Sequence, residues 1–287
     1  MASVITIMNM KGGVGKTIVA AHLAGMLAHY SFNGKQRRVL AIDYDAQFNL
    51  SQMFIEPTTY SDLDRSRKTS LAILQDDEMN LDPYALQVPG NRNPPRLQDL
   101  VHPIYGLANN GLLDIIPSSM DLMYVALGQS SERTDPIEER FDKFITECRG
   151  AYDVVIIDCH PAGSILTKTA LQNSDHVIIP VTPSPFAARG IGLMMRFLEA
   201  NKIGSSGAFP HVLFNKEKGP PSSSQLIIRG NPRFVKHCLA APLERFTAFS
   251  DPNGGKDFVW FSGLPYSRKA RNNLMSVVQE IVTRTGC

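Results

Sequence analysis

Residues 3–17 read Ser3-Val-Ile-Thr-Ile-Met8-Asn9-Met10-Lys11-Gly12-Gly13-Val14-Gly15-Lys16-Thr17. Ser3–Met8 is short, apolar and β-branched, and so reads as a buried strand. Thr17–Tyr30 follows with Val19, Leu23, Met26 and Leu27 on one helical face. A glycine-rich loop between a strand and a helix aims backbone N–H groups and the helix N-terminus at an anion. In the pattern G-x-x-x-x-G-K-[ST], Lys16 would reach the β- and γ-phosphates and the Thr17 hydroxyl would ligate Mg²⁺. The loop departs from that pattern twice. Met10 stands where the first glycine belongs, and Lys11 adds a second cation just inside the loop. One lysine makes such a loop chemically complete, so Lys11 needs a reason of its own.

Working outward, Arg38–Asp43 is a second buried strand that ends in a carboxylate, with Asp45 two residues further on. If the strand continues through Tyr44, Asp43 and Asp45 point to the same side. Two carboxylates there suit one contact to a hydrated metal and one that positions an attacking water. Asp153–Asp158 is the clearest buried strand, and Asp158 stands at its end, where a phosphate-loop protein keeps its Mg²⁺-side carboxylate.

Strands at Leu112–Ile116, His176–Pro180 and Phe209–Phe214 alternate with helices at Pro136–Cys148, Ser164–Gln172 and Ala187–Ala200, before a last helix at about Ser267–Thr283. That alternation predicts an α/β fold: a mostly parallel, twisted sheet with helices on both faces. No repeat or linker divides residues 1–287, so a single domain is expected. Two stretches, about 57–110 and 218–257, read as irregular insertions. The first is rich in proline and carries short helices at Ser70–Leu74 and Leu97–Val101; the second is rich in Pro, Ser and Gly, with a helix around Arg233–Leu239.

At 287 residues and 43% hydrophobic the chain can bury a sizeable core. A formal charge of +2 announces no nucleic-acid or membrane partner, so any such surface must be a local patch. Cys148, Cys159, Cys238 and Cys287 lack metal-ligand spacing and read as reduced thiols. No apolar run reaches the length of a membrane span, and Val4–Met8 flows straight into the glycine loop instead of a cleavable leader. A cytoplasmic protein is expected.

Five blocks together carry a resemblance: Lys-Gly-Gly-Val-Gly-Lys-Thr at 11–17, Asp-Tyr-Asp-Ala-Gln at 43–47, Tyr-Asp-Val-Val-Ile-Ile-Asp-Cys-His-Pro at 152–161, Asp-His-Val-Ile-Ile-Pro-Val-Thr-Pro at 175–183 and Leu-Pro-Tyr-Ser at 264–267. The chain resembles the ParA/MinD/Soj group of deviant phosphate-loop ATPases over most of its length, except about 57–110 and 218–257. The resemblance implies ATP and Mg²⁺ as cofactors. Lys11, Gly12, Gly13, Val14, Gly15, Lys16, Thr17 and Ile18 would hold the nucleotide, with Asn215 and Pro265 at the adenine. Lys11, Lys16 and Asp45 would be catalytic, Asp45 activating water, while Thr17, Asp43 and Asp158 serve the metal. It also explains Lys11, whose counterpart in the family crosses a nucleotide-sandwich homodimer to the partner's phosphates, where a cation stabilises the transfer transition state. The chain departs at Ala46 and at His160, each standing where the family usually has proline. Ala46 should loosen a turn, and His160 is expected to be a hydrogen-bonded histidine.

Partition-type members of the group bind DNA of any sequence as ATP dimers, act at the nucleoid and are stimulated by a ParB-like adaptor. The candidate basic residues here are Arg189, Arg229, Arg233, Lys236, Arg268, Lys269 and Arg271, with Arg196 and Arg245 nearby. The alternative is a MinD-like or cargo-positioning ATPase on a membrane or protein array. Membrane members use a C-terminal amphipathic helix; here Leu274, Val277, Val278 and Ile281 fit the spacing, but bulky aromatics are lacking, so packing against the domain is expected instead.

Overall fold

The computed structural model describes residues 1–76, 88–107, 110–127, 134–161, 163–200, 207–217, 219–249 and 258–287. Residues 77–87, 108–109, 218 and 250–257, within the two stretches read as irregular, lie outside the described residues.

In chain order the elements are β1 (Ser3–Ile7), α1 (Lys16–His29), β2 (Arg38–Tyr44), α2 (Asn49–Phe54), α3 (Pro57–Arg65), α4 (Leu71–Leu74), α5 (Leu97–Leu100), β3 (His102–Gly106), β4 (Leu112–Ile116), α6 (Leu122–Leu127), α7 (Asp135–Ala151), β5 (Val154–Cys159), α8 (Ile165–Gln172), β6 (His176–Val181), α9 (Ala187–Ala200), β7 (Phe209–Glu217), α10 (Ser223–Gly230), β8 (Leu243–Glu244) and α11 (Ser267–Thr285). The strands form one eight-stranded sheet in the order β3-β4-β2-β5-β1-β6-β7-β8. Among the described strands only the edge strand β3 runs antiparallel, to β4; the other strand pairings are parallel. Burial on both faces requires the continuous apolar runs that the sequence shows in β1, β2 and β5.

Two cores lie on the two faces. Val39, Ala41, Val154 and Ile156 pack with α1 and α11 on one side; Leu40, Ile42, Val155 and Ile157 pack with α7, α8 and α9 on the other. The apolar positions of α11, Leu274, Val277, Val278 and Ile281, are spent on the first of these cores. The single-face reading of α1 is corrected: residues 19–28 are all buried, so the helix is surrounded by protein rather than amphipathic. Its small residues permit this. A Cβ at Gly25 would overlap the Phe258 ring.

Several other elements differ from expectation. Pro57 reads as a loop signal, but it occupies the first turn of α3, where its missing N–H is not needed. No residue of α3 is fully buried; Tyr60 and Leu63, three apart, lean half-buried on the core and are the only apolar contacts that α3 itself makes with it among the described residues. In the later stretch the helix lies at α10, and only a single 3₁₀ turn, Val235–His237, falls within 233–239. Ser222 caps α10 by accepting from the Gln225 amide at 3.3 Å. The first irregular stretch is pinned from α7 by Arg140, itself buried. Its guanidinium donates to the carbonyls of Ala72, Ile73, Gln75, Asn91 and Asn93 and pairs with Asp76 at 3.0 Å.

Candidate functional site

The site lies where β1, β5 and β2 end, the edge at which open α/β sheets bind ligands. The chain leaves β1 through Asn9, whose amide donates to the Pro180 carbonyl at 2.7 Å while its Oδ1 accepts from the Lys11 amide at 2.9 Å. Gly13 and Gly15 then take φ of +73° and +87°, the left-handed region where glycine carries no steric penalty. Gly15 is the N-cap of α1 and has no side chain to satisfy the first turn, so that turn's N–H groups are left for an anion.

From β7, Asn215 Nδ2 donates to the Val14 carbonyl and Lys216 Nζ to the Gly13 carbonyl, each at 2.7 Å. A Cβ on Gly15 would lie 2.6 Å from Asn215 Nδ2, so nothing larger than glycine fits. Lys11, Gly12 and Gly13 are exposed, while Lys16, Thr17 and Ile18 are half-buried. Sequence reasoning missed Asn9 and Lys216. Asn9 carried a signal, a short amide side chain just before a turn; Lys216 carried none.

Three carboxylates gather beside the loop. Register sets Asp43 of β2 opposite Asp158 of β5, and Asp158 opposite Ile7 of β1. Burial pushes the Asp43 carboxyl up to about 7, against the pull of its hydrogen bonds from the Ser51 hydroxyl and amide at 2.6 and 2.8 Å. Burial, and then the neighbouring Asp43, raise Asp158 well above the usual range; the Thr17 hydroxyl and Lys16 oppose that rise. Neither Asp158 oxygen makes a hydrogen bond of ordinary geometry to protein. Burial works against charge on Asp45 too, but the His160 bond at 3.0 Å, the Gln47 amide at 3.1 Å and Lys16 outweigh it and hold Asp45 below the usual range. A buried carboxyl with two unanswered oxygens beside a second buried carboxyl is the donor chemistry that a hard cation takes.

On the other side of the loop a cavity of about 400 Å³ opens between Gly15, Ile18, Asn215, Lys216, Phe246 and Phe249. Asn215 lines it as the sequence implies. Pro265 is exposed and is not part of the lining. The aromatic wall comes from 246–249, a segment no motif marked.

The basic residues do not form one patch. Arg189, Arg196, Arg229, Arg233 and Lys236 belong to the face carrying α9 and α10, whereas Arg268, Lys269 and Arg271 start α11 on the opposite face. Arg229 is tied into the fold, donating to the Leu239 and Ala240 carbonyls above the Phe214 ring. Lys269 pairs loosely with Glu244 at 3.8 Å, and Arg189, Arg196, Arg233, Lys236 and Arg268 are exposed.

Residues 2–204 match a family model described as an AAA domain. A ParA family protein of Chlamydia trachomatis serovar D is 29% identical over 196 residues, 68% of this chain and 64% of that protein; the chain thus spans less than two thirds of that relative's length. Among solved structures, a putative plasmid partition protein from Borrelia burgdorferi B31 bound to AMPPNP aligns with a TM-score of 0.67 at 20% identity, over 99% of each chain. The pNOB8 ParA bound to nonspecific DNA aligns with a TM-score of 0.62 at 21% identity, over 100% of this chain and 99% of that one. At such identities the superpositions speak for the fold alone. The matched family model and the loop and carboxylate geometry lead to one conclusion: the chain belongs to the AAA-domain family, and among its relatives it is similar to ParA family proteins.

Proposed function

We propose that the protein is a Mg²⁺-dependent ATPase of the partition type, whose ATP-bound copies pair as a homodimer and bind DNA without sequence preference. The observation that carries this reading is the convergence of the Gly13–Thr17 loop on Asp158, a buried carboxylate with no protein partner beside the Thr17 hydroxyl. Phosphates would lie on the free N–H groups at the start of α1, with Lys16 at the β- and γ-phosphates. Gly12, Gly13, Val14 and Ile18 complete the cradle, and the base fits the cavity lined by Asn215 and Phe246.

The donor set suits magnesium, a hard cation that takes one or two protein oxygens and shares the rest with phosphates and water. Thr17 and Asp158 would hold it. Asp43, spent on Ser51, would support the metal's water shell and set the field around Asp158. Bound Mg²⁺ neutralises phosphate charge and orients the terminal phosphoryl group.

Asp45 would position the attacking water. Lys11, exposed at the rim, would reach across to the phosphates of a second copy. Of the basic groups, the exposed Arg189, Arg233 and Lys236 on one face and the exposed Arg268 and Lys269 with the half-buried Arg271 on the other would meet DNA from two sides of the protomer, with Arg229 bracing the first set. The pNOB8 ParA bound to nonspecific DNA supports that partner, and the AMPPNP-bound Borrelia protein supports the nucleotide. A ParB-like adaptor would speed hydrolysis at the nucleoid. No described helix is long and apolar enough to cross a membrane, and the apolar face of α11 is already covered.

The test compares DNA retention and light scattering with ATP, a nonhydrolysable ATP analogue and ADP. ATP-dependent dimers that bind unrelated duplexes with a steep salt dependence are expected. Equal DNA binding with ADP, or a monomer under the analogue, would overturn the reading.

A further inference from the structure

His160 is the first residue past β5, two beyond Asp158. The β2–β5 pairing runs on past Asp43–Asp158 and Tyr44–Cys159, and the His160 amide donates to the Tyr44 carbonyl at 3.2 Å. That continuation sets His160 beside Asp45, with Nδ1 3.0 Å from Oδ1. Both side chains are largely out of water, at 20% and 9% exposure, so this is not a solvated surface pair.

Asp45 needs such a partner. It opens a tight turn closed by the Phe48 amide on the Asp45 carbonyl at 2.9 Å, with Phe48 forced to a φ of +44°. Position 46 of this turn is alanine, which does not preset φ as proline would there. The direction of the Asp45 oxygens is set by χ1 and χ2 and so by what the carboxylate bonds to, not by the turn itself. Asp45 Oδ1 is held twice, by His160 Nδ1 and by the Gln47 amide at 3.1 Å; among the described residues none donates to Oδ2.

We propose that His160 is a positioning residue for Asp45, its Nδ1–H fixing Oδ1 so that Oδ2 is presented to the attacking water. The inference rests on the hydrolytic reading of Asp45 above. A carboxylate only accepts, so Nδ1 is the donor, whether or not Nε2 also carries a proton. The role is thus geometric: it sets the direction of one carboxylate oxygen.

The test measures single-turnover phosphate release from ATP with Mg²⁺, and nucleotide affinity, for wild type, Asp45→Ala, His160→Ala, His160→Asn and His160→Gln. Asparagine carries its donor at the δ position, where Nδ1 sits, and glutamine carries it one atom further. We expect His160→Ala and His160→Gln to slow hydrolysis about 10- to 100-fold with nucleotide affinity within about twofold, and His160→Asn to stay within about threefold of wild type. Normal turnover by His160→Ala beside an inactive Asp45→Ala would overturn the role of His160 and leave that of Asp45 standing. His160→Asn failing as badly as His160→Ala would overturn the donor role, and this pair decides the matter even if the alanine variant folds poorly. Normal turnover by Asp45→Ala would remove the hydrolytic reading itself, and the inference with it.

Discussion

Asp43 and Asp158 stand opposite each other in the β2–β5 register, both closed off from solvent, yet only Asp43 is held by protein hydrogen bonds of ordinary geometry. Asp43 takes two bonds from Ser51; Asp158 takes none of ordinary geometry. Asp158→Asn should therefore leave the fold intact and weaken the Mg²⁺-dependent part of nucleotide affinity. Outer-shell changes at metal sites already cost about 10- to 100-fold, so a loss of at least about tenfold is expected. Calorimetric titration of nucleotide with and without Mg²⁺ checks it, and an unchanged metal dependence would remove Asp158 from the site.

The two lysines of the loop should separate cleanly. Lys16 is half-buried against the carboxylates, whereas Lys11 is exposed at the rim. Lys16→Ala removes a charge-assisted contact worth about 1.5–3 kcal/mol and should cut ATP affinity by about 10- to 100-fold. Lys11→Ala should keep most of that affinity while losing ATP-dependent dimerisation and hydrolysis. Analytical ultracentrifugation with and without ATP reads the difference.

Asn215 holds the Val14 carbonyl from β7 and accepts from the Lys216 amide at 2.8 Å. Asn215→Ala leaves a buried carbonyl unanswered, a loss of about 1–3 kcal/mol, and frees the loop beside the cavity. Lower thermal stability together with weaker nucleotide binding is expected. Gly15→Ala should be worse for binding, because φ of +87° and the Asn215 amide both refuse a Cβ.

Arg140 is a buried cation whose bonds hold the chain at 72–76 and 91–93 against α7. Replacing it strands those carbonyls and Asp76 together. Arg140→Leu should lose about 3–5 kcal/mol of stability, measured by urea unfolding, and Arg140→Lys should recover little because one ammonium cannot reach carbonyls on both segments.

His22, on α1, is fully buried among Phe249, Phe258 and Trp260, and burial lowers it from 6.5 to about 4, against a weak bond to the Phe249 carbonyl. The unfolded chain binds a proton below 6.5 that the folded chain refuses until about 4. Stability is therefore fully present above 6.5 and falls as pH drops through that window, by about 3 kcal/mol from this group. His211, lowered to about 3 by burial and then by His176, adds a slope of the same sign. His22→Phe keeps the ring contacts and removes one titration. Its urea midpoint should fall less than that of wild type between about pH 7 and about pH 5.

Much of the site was legible because its chemistry is compressed into short runs. Strand, glycines, Lys16 and Thr17 are contiguous, and the strand ending at Asp158 announces itself by its apolar length. The α3 helix escaped because its inward stripe is only Tyr60 and Leu63 in a short run opened by Pro57, and α1 was misread because burial on all sides mimics a loose stripe. Phe246 and Phe249 could not be foreseen as cavity walls, since only β8 lying against β7 brings 243–249 to the loop.

By itself, then, the sequence determined the parallel α/β fold, the anion-binding loop and the carboxylates at the strand ends, because local order along the chain creates each of them. The tertiary structure alone decided which carboxylate is answered by protein, which histidine holds Asp45 and that the basic residues lie on two faces. Those facts come from β-sheet register and from the sides on which helices pack, and neither is written in the spacing of residues along the chain.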